Sequence, residues 1–214
     1  METSRSLTDL AQRQPILADS TAALQAAHDL LVERFAAGGT LFICGNGGSM
    51  SDALHISGEL LKSFVVQRQL PESVFASLKE QPDGNLLARN LQPGLRTVVL
   101  GLNVALASAV ANDMPDRDVN LAQELFALAR ADDLLLAIST SGNATNVALA
   151  AQTARALDLP VIALTGRSGG RLAQLADVMI CVSADTTAHI QELHIACYHA
   201  LCAMLEQTFF GTES

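Results

Sequence analysis

A chain of 214 residues that is 50% apolar and only 16% charged can bury a sizeable core, which excludes disorder and fibrous repeats and makes one domain the natural count. Thirteen Lys and Arg against 22 Asp and Glu leave a net charge of −9, and the densest basic stretch, Lys62 to Arg68, holds two cations; a nucleic-acid backbone would be repelled, so no such partner is expected. The polar N-terminus lacks the apolar core of a signal peptide and no window reaches the ~18 uninterrupted apolar residues of a span, so a cytoplasmic protein with no membrane partner is expected.

The first element is helical. After a break at Pro15, Leu17, Leu24 and Leu31 recur every seven residues beside Ala27, Leu30 and Phe35, a stripe that needs either its own domain or the same helix of another subunit to cover it. Residues 1–36 are read as a helical oligomerisation segment, and 37–210 as the main domain. That domain opens with an apolar strand at Thr40 to Cys44 and a helix at Ser49 to Ser63. The stretch from Val66 to Leu95 carries Pro71, Pro82, Gly84, Pro93 and Gly94, too irregular for a plain crossover, and reads as an insertion with one short helix at Glu72 to Lys79. Four further strands follow, at Thr97 to Leu102, Leu134 to Ser139, Val161 to Thr165 and Val178 to Val182. Between and after them, 3.6-residue periodicity marks helices at Asn103 to Ala111, Val119 to Ala129, Asn143 to Leu157, Gly169 to Leu175 and Thr187 to Phe209.

Strands that are apolar on nearly every residue belong to a parallel sheet covered on both faces. The expected fold is therefore α/β, a doubly wound five-stranded parallel sheet with an N-terminal helical extension. The cysteines, Cys44, Cys181, Cys197 and Cys202, form no C-x-x-C pair and sit in apolar runs, as small core residues do.

Two strands end in loops built for an anion. The first runs Cys44-Gly45-Asn46-Gly47-Gly48-Ser49 into a helix, the second Ser139-Thr140-Ser141-Gly142-Asn143 into another. Glycines allow close backbone approach, hydroxyls donate, and a helix N-terminus presents free N–H groups; in a doubly wound sheet both loops open onto one crevice. Gly45, Gly47 and Met50 do not complete a dinucleotide fingerprint and no lysine follows Gly48, which leaves a phosphate on a smaller, hydroxyl-rich molecule.

The helix after the first loop carries His55 and Glu59 at i and i+4, on one face. On the last helix Gln191 and His199 lie about 80° apart around the axis, with His194 on the other side of Gln191. Imidazole, carboxylate and amide oxygen suit zinc or a similar divalent ion.

Taken in order, the first loop with Asp52-Ala-Leu-His55 and Glu59, Ala111-Asn-Asp113, Ile138-Ser-Thr-Ser-Gly-Asn143, Ala163-Leu-Thr-Gly166 with Gly169-Gly170, and Ile190-Gln-Glu-Leu-His194 with His199 resemble the phosphoheptose isomerases of the sugar-isomerase (SIS) superfamily. The resemblance spans about Thr40 to Glu206. It implies a flavodoxin-like SIS domain, a homotetramer with active sites shared between subunits, and the conversion of sedoheptulose 7-phosphate to D-glycero-D-manno-heptose 7-phosphate. It also implies zinc held by His55, Glu59, Gln191 and His199, with Glu59 and His199 as the acid/base pair. Substrate contacts would fall on Asn46, Gly47, Gly48, Ser49, Asp113, Ser139, Thr140, Ser141, Asn143 and Gln191. The sequence departs from the family at Ala144 and Ser63, where a serine and an arginine are usual, and in the length of the Val66 to Leu95 segment. The rival reading, a non-catalytic SIS adaptor for a replication initiator or a phosphosugar sensor, has no need for the acid/base pair that this chain keeps.

Overall fold

The computed structural model describes residues 5–211. Helix α1 (Arg5–Arg13), a 3₁₀ turn over Pro15–Ser20 and α2 (Thr21–Ala36) lead into β1 (Leu41–Cys44) and α3 (Gly48–Leu61). Helices α4 (Glu72–Lys79) and α5 (Gly84–Asn90) lie before β2 (Thr97–Val99), and α6 (Val104–Asp113) and α7 (Asn120–Leu128) follow it. The chain closes with β3 (Leu134–Ser139), α8 (Thr145–Ala156), β4 (Val161–Thr165), β5 (Val178–Cys181) and α9 (Thr187–Phe210).

All pairings in the sheet are parallel, in the order β2-β1-β3-β4-β5. The strand order reverses between β1 and β3, so the loops leaving their carboxyl ends face one another across the crevice where doubly wound sheets hold ligands. Alternation along each strand splits the core into two layers. Leu41 and Ile43 of β1 and Leu134, Leu136 and Ile138 of β3 meet α1, α2, α3 and α9 on one face. Phe42, Cys44, Leu135 and Ala137 meet α7 and α8 on the other, where Ala148, Ala151 and Ala154 let α8 approach closely.

The N-terminal stripe is spent within the chain. Leu17, Leu24 and Leu31 are at most 1% exposed and belong to the same core as α3 and α9. A seven-residue repeat fits a helix lying on its own domain as well as it fits an intersubunit seam, and here the first arrangement uses up the leucines. Three expected elements differ in form. The insertion contains a second helix, α5, behind Pro82 and Gly84; β2 is three residues long rather than six; and the segment at Gly170–Gln174 is a 3₁₀ helix. The four cysteines are free, and burial pushes the thiols of Cys44 and Cys197 up to about 12, so they stay protonated. Among the described residues no helix is long and apolar enough to cross a membrane.

Candidate active site

The two anion-type loops are joined by a reciprocal amide pair: Asn46 Nδ2 donates to Asn146 Oδ1 at 2.8 Å, and Asn146 Nδ2 donates to Asn46 Oδ1 at 2.9 Å. Asn146, on the first turn of α8, escaped the sequence reading because its partner lies 100 residues away. In the second loop Ser141 Oγ accepts the Asn143 N–H at 3.1 Å, Asn143 Nδ2 donates to the Ser141 carbonyl, and Asn143 Oδ1 takes the Arg171 N–H. Gly142, at φ +67°, passes so close to the Gly169 carbonyl that no side chain fits. Ser139 is buried while Ser141 and Asn143 face outward. Thr140, Ser141 and Asn143 line a cavity of about 300 Å³ together with Arg167, Ser168 and Thr187.

Ser49 is buried in the first turn of α3, and Gly47 and Gly48 are exposed. A Cβ at Gly48 would overlap the Gln191 carboxamide, so the Gln191 side chain lies directly against the first loop. Asp113 closes α6 and accepts a hydrogen bond from its neighbour Asn112 at 2.7 Å.

Below the loops, α3 and α9 bring three chemically active groups together. His55 Nε2 stands 3.1 Å from Glu59 Oε1 and 3.4 Å from His199 Nε2. One ligand atom from each of the three lies within 4.8 Å of the others. Ligand atoms ~2.1 Å from a tetrahedral ion stand ~3.4 Å apart, so both spacing and donor types fit a divalent metal. Three of the four expected ligands, His55, Glu59 and His199, come together here, and the fourth, Gln191, roughly two turns earlier on α9, sets its carboxamide against Gly48. His194 is fully buried on another side of α9, and burial pushes it down to about 4, so it is a neutral core residue.

Burial, then the neighbouring His55, hold His199 below the ordinary histidine value despite the nearby Glu59 carboxylate, leaving its imidazole neutral at pH 7. Phe64 packs on the His199 ring at 5.4 Å between centroids. Behind His55, Tyr198 Oη lies 3.0 Å from Nδ1 and donates to Asp52 Oδ1 at 3.4 Å. Asp52 stands in the motif that leads to His55 but has no role from sequence, and Tyr198, a tyrosine in an apolar run, reads as core.

At the far end of the same helix pair, Arg68 Nε donates to Glu206 Oε1 at 2.9 Å, with both side chains fully buried. Glu206 also accepts the N–H groups of Phe64, Val65 and Val66, and Arg68 donates to the carbonyls of Leu60, Glu59 and Pro93. This cluster ties the start of the insertion to α9 and fixes the backbone at Glu59.

A doubly wound parallel sheet with glycine- and hydroxyl-rich loops at its switch point and a His–Glu–His cluster on the flanking helices is the architecture of an SIS-domain protein. SIS-domain family models match residues 8–102 and 108–209. The chain is 40% identical to the phosphoheptose isomerase of Thiobacillus denitrificans, covering 86% of this chain and 82% of that protein. It is 39% identical to the Mycobacterium tuberculosis phosphoheptose isomerase, covering 88% and 84%. The solved structures of the phosphoheptose isomerases of Neisseria gonorrhoeae (TM-score 0.70, 31% identity, 94% and 93% covered) and Francisella tularensis (TM-score 0.73, 30%, 90% and 92%) share its fold. The chain belongs to the phosphoheptose isomerase family.

Proposed function

We propose that this chain interconverts sedoheptulose 7-phosphate and D-glycero-D-manno-heptose 7-phosphate, or a closely related ketose phosphate, in the cytoplasm. The observation that carries the reading is the convergence of the Glu59 carboxylate and the His55 and His199 imidazoles on the helices that flank the two glycine- and hydroxyl-rich loops.

Ketose-to-aldose isomerisation moves one proton from C1 to C2 and another from O1 to O2 through a cis-enediol. Glu59 takes the C1 proton and returns it at C2. His199, neutral and therefore able both to accept and to donate, serves the two oxygens. The phosphate is held at Ser139 to Ser141 and Asn143, and the sugar by Asn46, Gly47, Gly48, Ser49, Asp113 and Gln191. His55, Glu59 and His199, with Gln191 as fourth ligand, would hold a divalent ion such as zinc, which supplies Lewis-acid stabilisation of negative charge.

The functional unit in this reading is a homotetramer with shared active sites. Leu54 and Leu61 on α3 and Ile195 on α9, 40–50% exposed, offer apolar contact surface on the two helices that carry the acid/base cluster. Light scattering is expected to give about four times the 22.5 kDa chain mass. Removing residues 1–36 would strip Leu7, Leu10, Leu17, Leu24 and Leu31 from the core and unfold the chain rather than merely dissociate it.

Incubation with sedoheptulose 7-phosphate in D₂O tests the activity. The reading expects aldose carrying solvent deuterium at C2, and deuterium at C1 of recovered ketose. No product and no exchange would give precedence to a non-catalytic, phosphosugar-sensing or adaptor role.

A further inference from the structure

Of the two imidazoles in the triad, His55 has its second ring nitrogen held by a buried partner, Tyr198, among the described residues. We propose that Tyr198 and Asp52 are a positioning pair that fixes His55 with its proton on Nδ1, so that the Nε2 lone pair is presented to the point where Glu59 and His199 converge. The inference rests on the active-site reading for its location only.

Proton counting carries the argument. Tyr198 is 2% exposed and Asp52 7%, so neither can turn to water for its hydrogen bonds. Asp52 Oδ2 is buried with no partner among the described residues, which leaves Oδ1 to be served by a single donor, the Tyr198 hydroxyl at 3.4 Å. A tyrosine has one proton. A buried carboxylate with no other donor draws that proton more strongly than a neutral imidazole does, so the Tyr198 oxygen faces His55 Nδ1 at 3.0 Å as an acceptor and Nδ1 donates. The proton is then absent from Nε2, whose lone pair faces the Glu59 carboxylate at 3.1 Å, an approach of two acceptors that a shared cation relieves, and stands 3.4 Å from His199.

The geometry also locks orientation. The His55 ring meets Tyr198 edge-on at 5.4 Å and His199 edge-on at 4.9 Å between centroids, so it cannot flip without losing the Nδ1 bond. A buried carboxylate acting through a hydroxyl on the rear nitrogen of an imidazole is an arrangement that raises ligand basicity and sets the tautomer at metal sites. It asks for a cation-accepting front, as the spacing of the three ligand atoms does.

The test reads the tautomer directly, by long-range ¹H–¹⁵N correlation of the His55 ring in the full-length, metal-free protein at mildly alkaline pH, and reads Zn²⁺ affinity by competition with a chromophoric chelator. Wild-type His55 is expected to be protonated on Nδ1. Tyr198→Phe keeps the ring and removes the hydroxyl, so His55 should relax to a mixture of tautomers and Zn²⁺ should bind ~10–100-fold more weakly. Asp52→Asn makes a sharper forecast. Its amide donates to Tyr198 Oη, the tyrosine proton turns to His55 Nδ1, and the imidazole proton moves to Nε2; a purely structural role for Asp52 would not reverse the tautomer. A wild-type His55 protonated on Nε2, or either folded variant keeping both the wild-type tautomer and its Zn²⁺ affinity within twofold, overturns the proposal. Absence of isomerisation by the wild-type protein would defeat the functional reading while leaving these readouts intact.

Discussion

Helix α9 forms two polar clusters of opposite character, one with α3 and one with the segment that follows α3. At Glu206 the carboxylate is fully buried and surrounded by donors, three backbone N–H groups and the Arg68 guanidinium, and Arg68 in turn spends its other nitrogens on carbonyls. At Glu59 the neighbours are two imidazoles, and His55 remains 44% exposed. A saturated polar network in the core has nothing left to offer a ligand and acts as structure. An under-saturated one at the surface keeps lone pairs and mobile protons available, which is what proton transfer and metal binding require.

Variants at the two clusters should therefore fail in different ways. Glu206→Ala leaves Arg68 charged and unpaired in the interior and is expected to cost about 3–5 kcal/mol of stability, seen as a large fall in melting temperature. Burial drives the Glu206 carboxyl up, but the three N–H groups and Arg68 outweigh it and hold it below the ordinary carboxylate range. Because the folded value lies below the unfolded one, the stability Glu206 contributes is full above about pH 4.3 and lost as pH falls through the folded value. Acid melts of wild type should show that loss and those of Glu206→Ala should lack it.

His199→Gln acts on the other cluster. Turnover is expected to drop ~10²-fold, about 2.7 kcal/mol in barrier, with melting nearly unchanged. Restoration by excess Zn²⁺ would assign the loss to ligation; no restoration would assign it to proton transfer.

Smaller effects belong to the phosphate loop. Ser141→Ala removes a hydroxyl facing the crevice and should weaken sugar-phosphate binding by about 1.5 kcal/mol, roughly tenfold by calorimetry, without touching either helix cluster. The smallest effect is expected from Ala144→Ser. Ala144 is the N-cap of α8 and offers no side-chain cap, while Asn146 Oδ1 already takes the Val147 N–H. A serine there should add about 0.5 kcal/mol of stability and tighten phosphosugar binding slightly.

Sequence periodicity made the sheet and most helices legible, since strands buried on both faces must be apolar throughout. The loop residues and His55, Glu59 and His199 were legible because their chemistry is local or repeats on one helix face. What stayed hidden was set by tertiary pairing. Glu206 meets Arg68 across 138 residues and Tyr198 meets His55 across 143, and no local pattern predicts such partners. The Leu17, Leu24 and Leu31 stripe was legible as buried, but a seven-residue period does not say whose core does the burying. Helix α5 was masked by the prolines and glycines around it.

In the proposed reaction the under-saturated cluster transfers its proton through Glu59. Glu59→Gln keeps the size and an amide oxygen but removes the titratable group. Solvent deuterium incorporation at C1 of sedoheptulose 7-phosphate, followed by NMR in D₂O with wild type and Glu59→Gln side by side at matched Zn²⁺ occupancy, measures that role directly. Wild type is expected to exchange, and the variant at a rate at least ~10²-fold lower, with the melting temperature unchanged. Equal exchange rates in the two proteins would contradict that role.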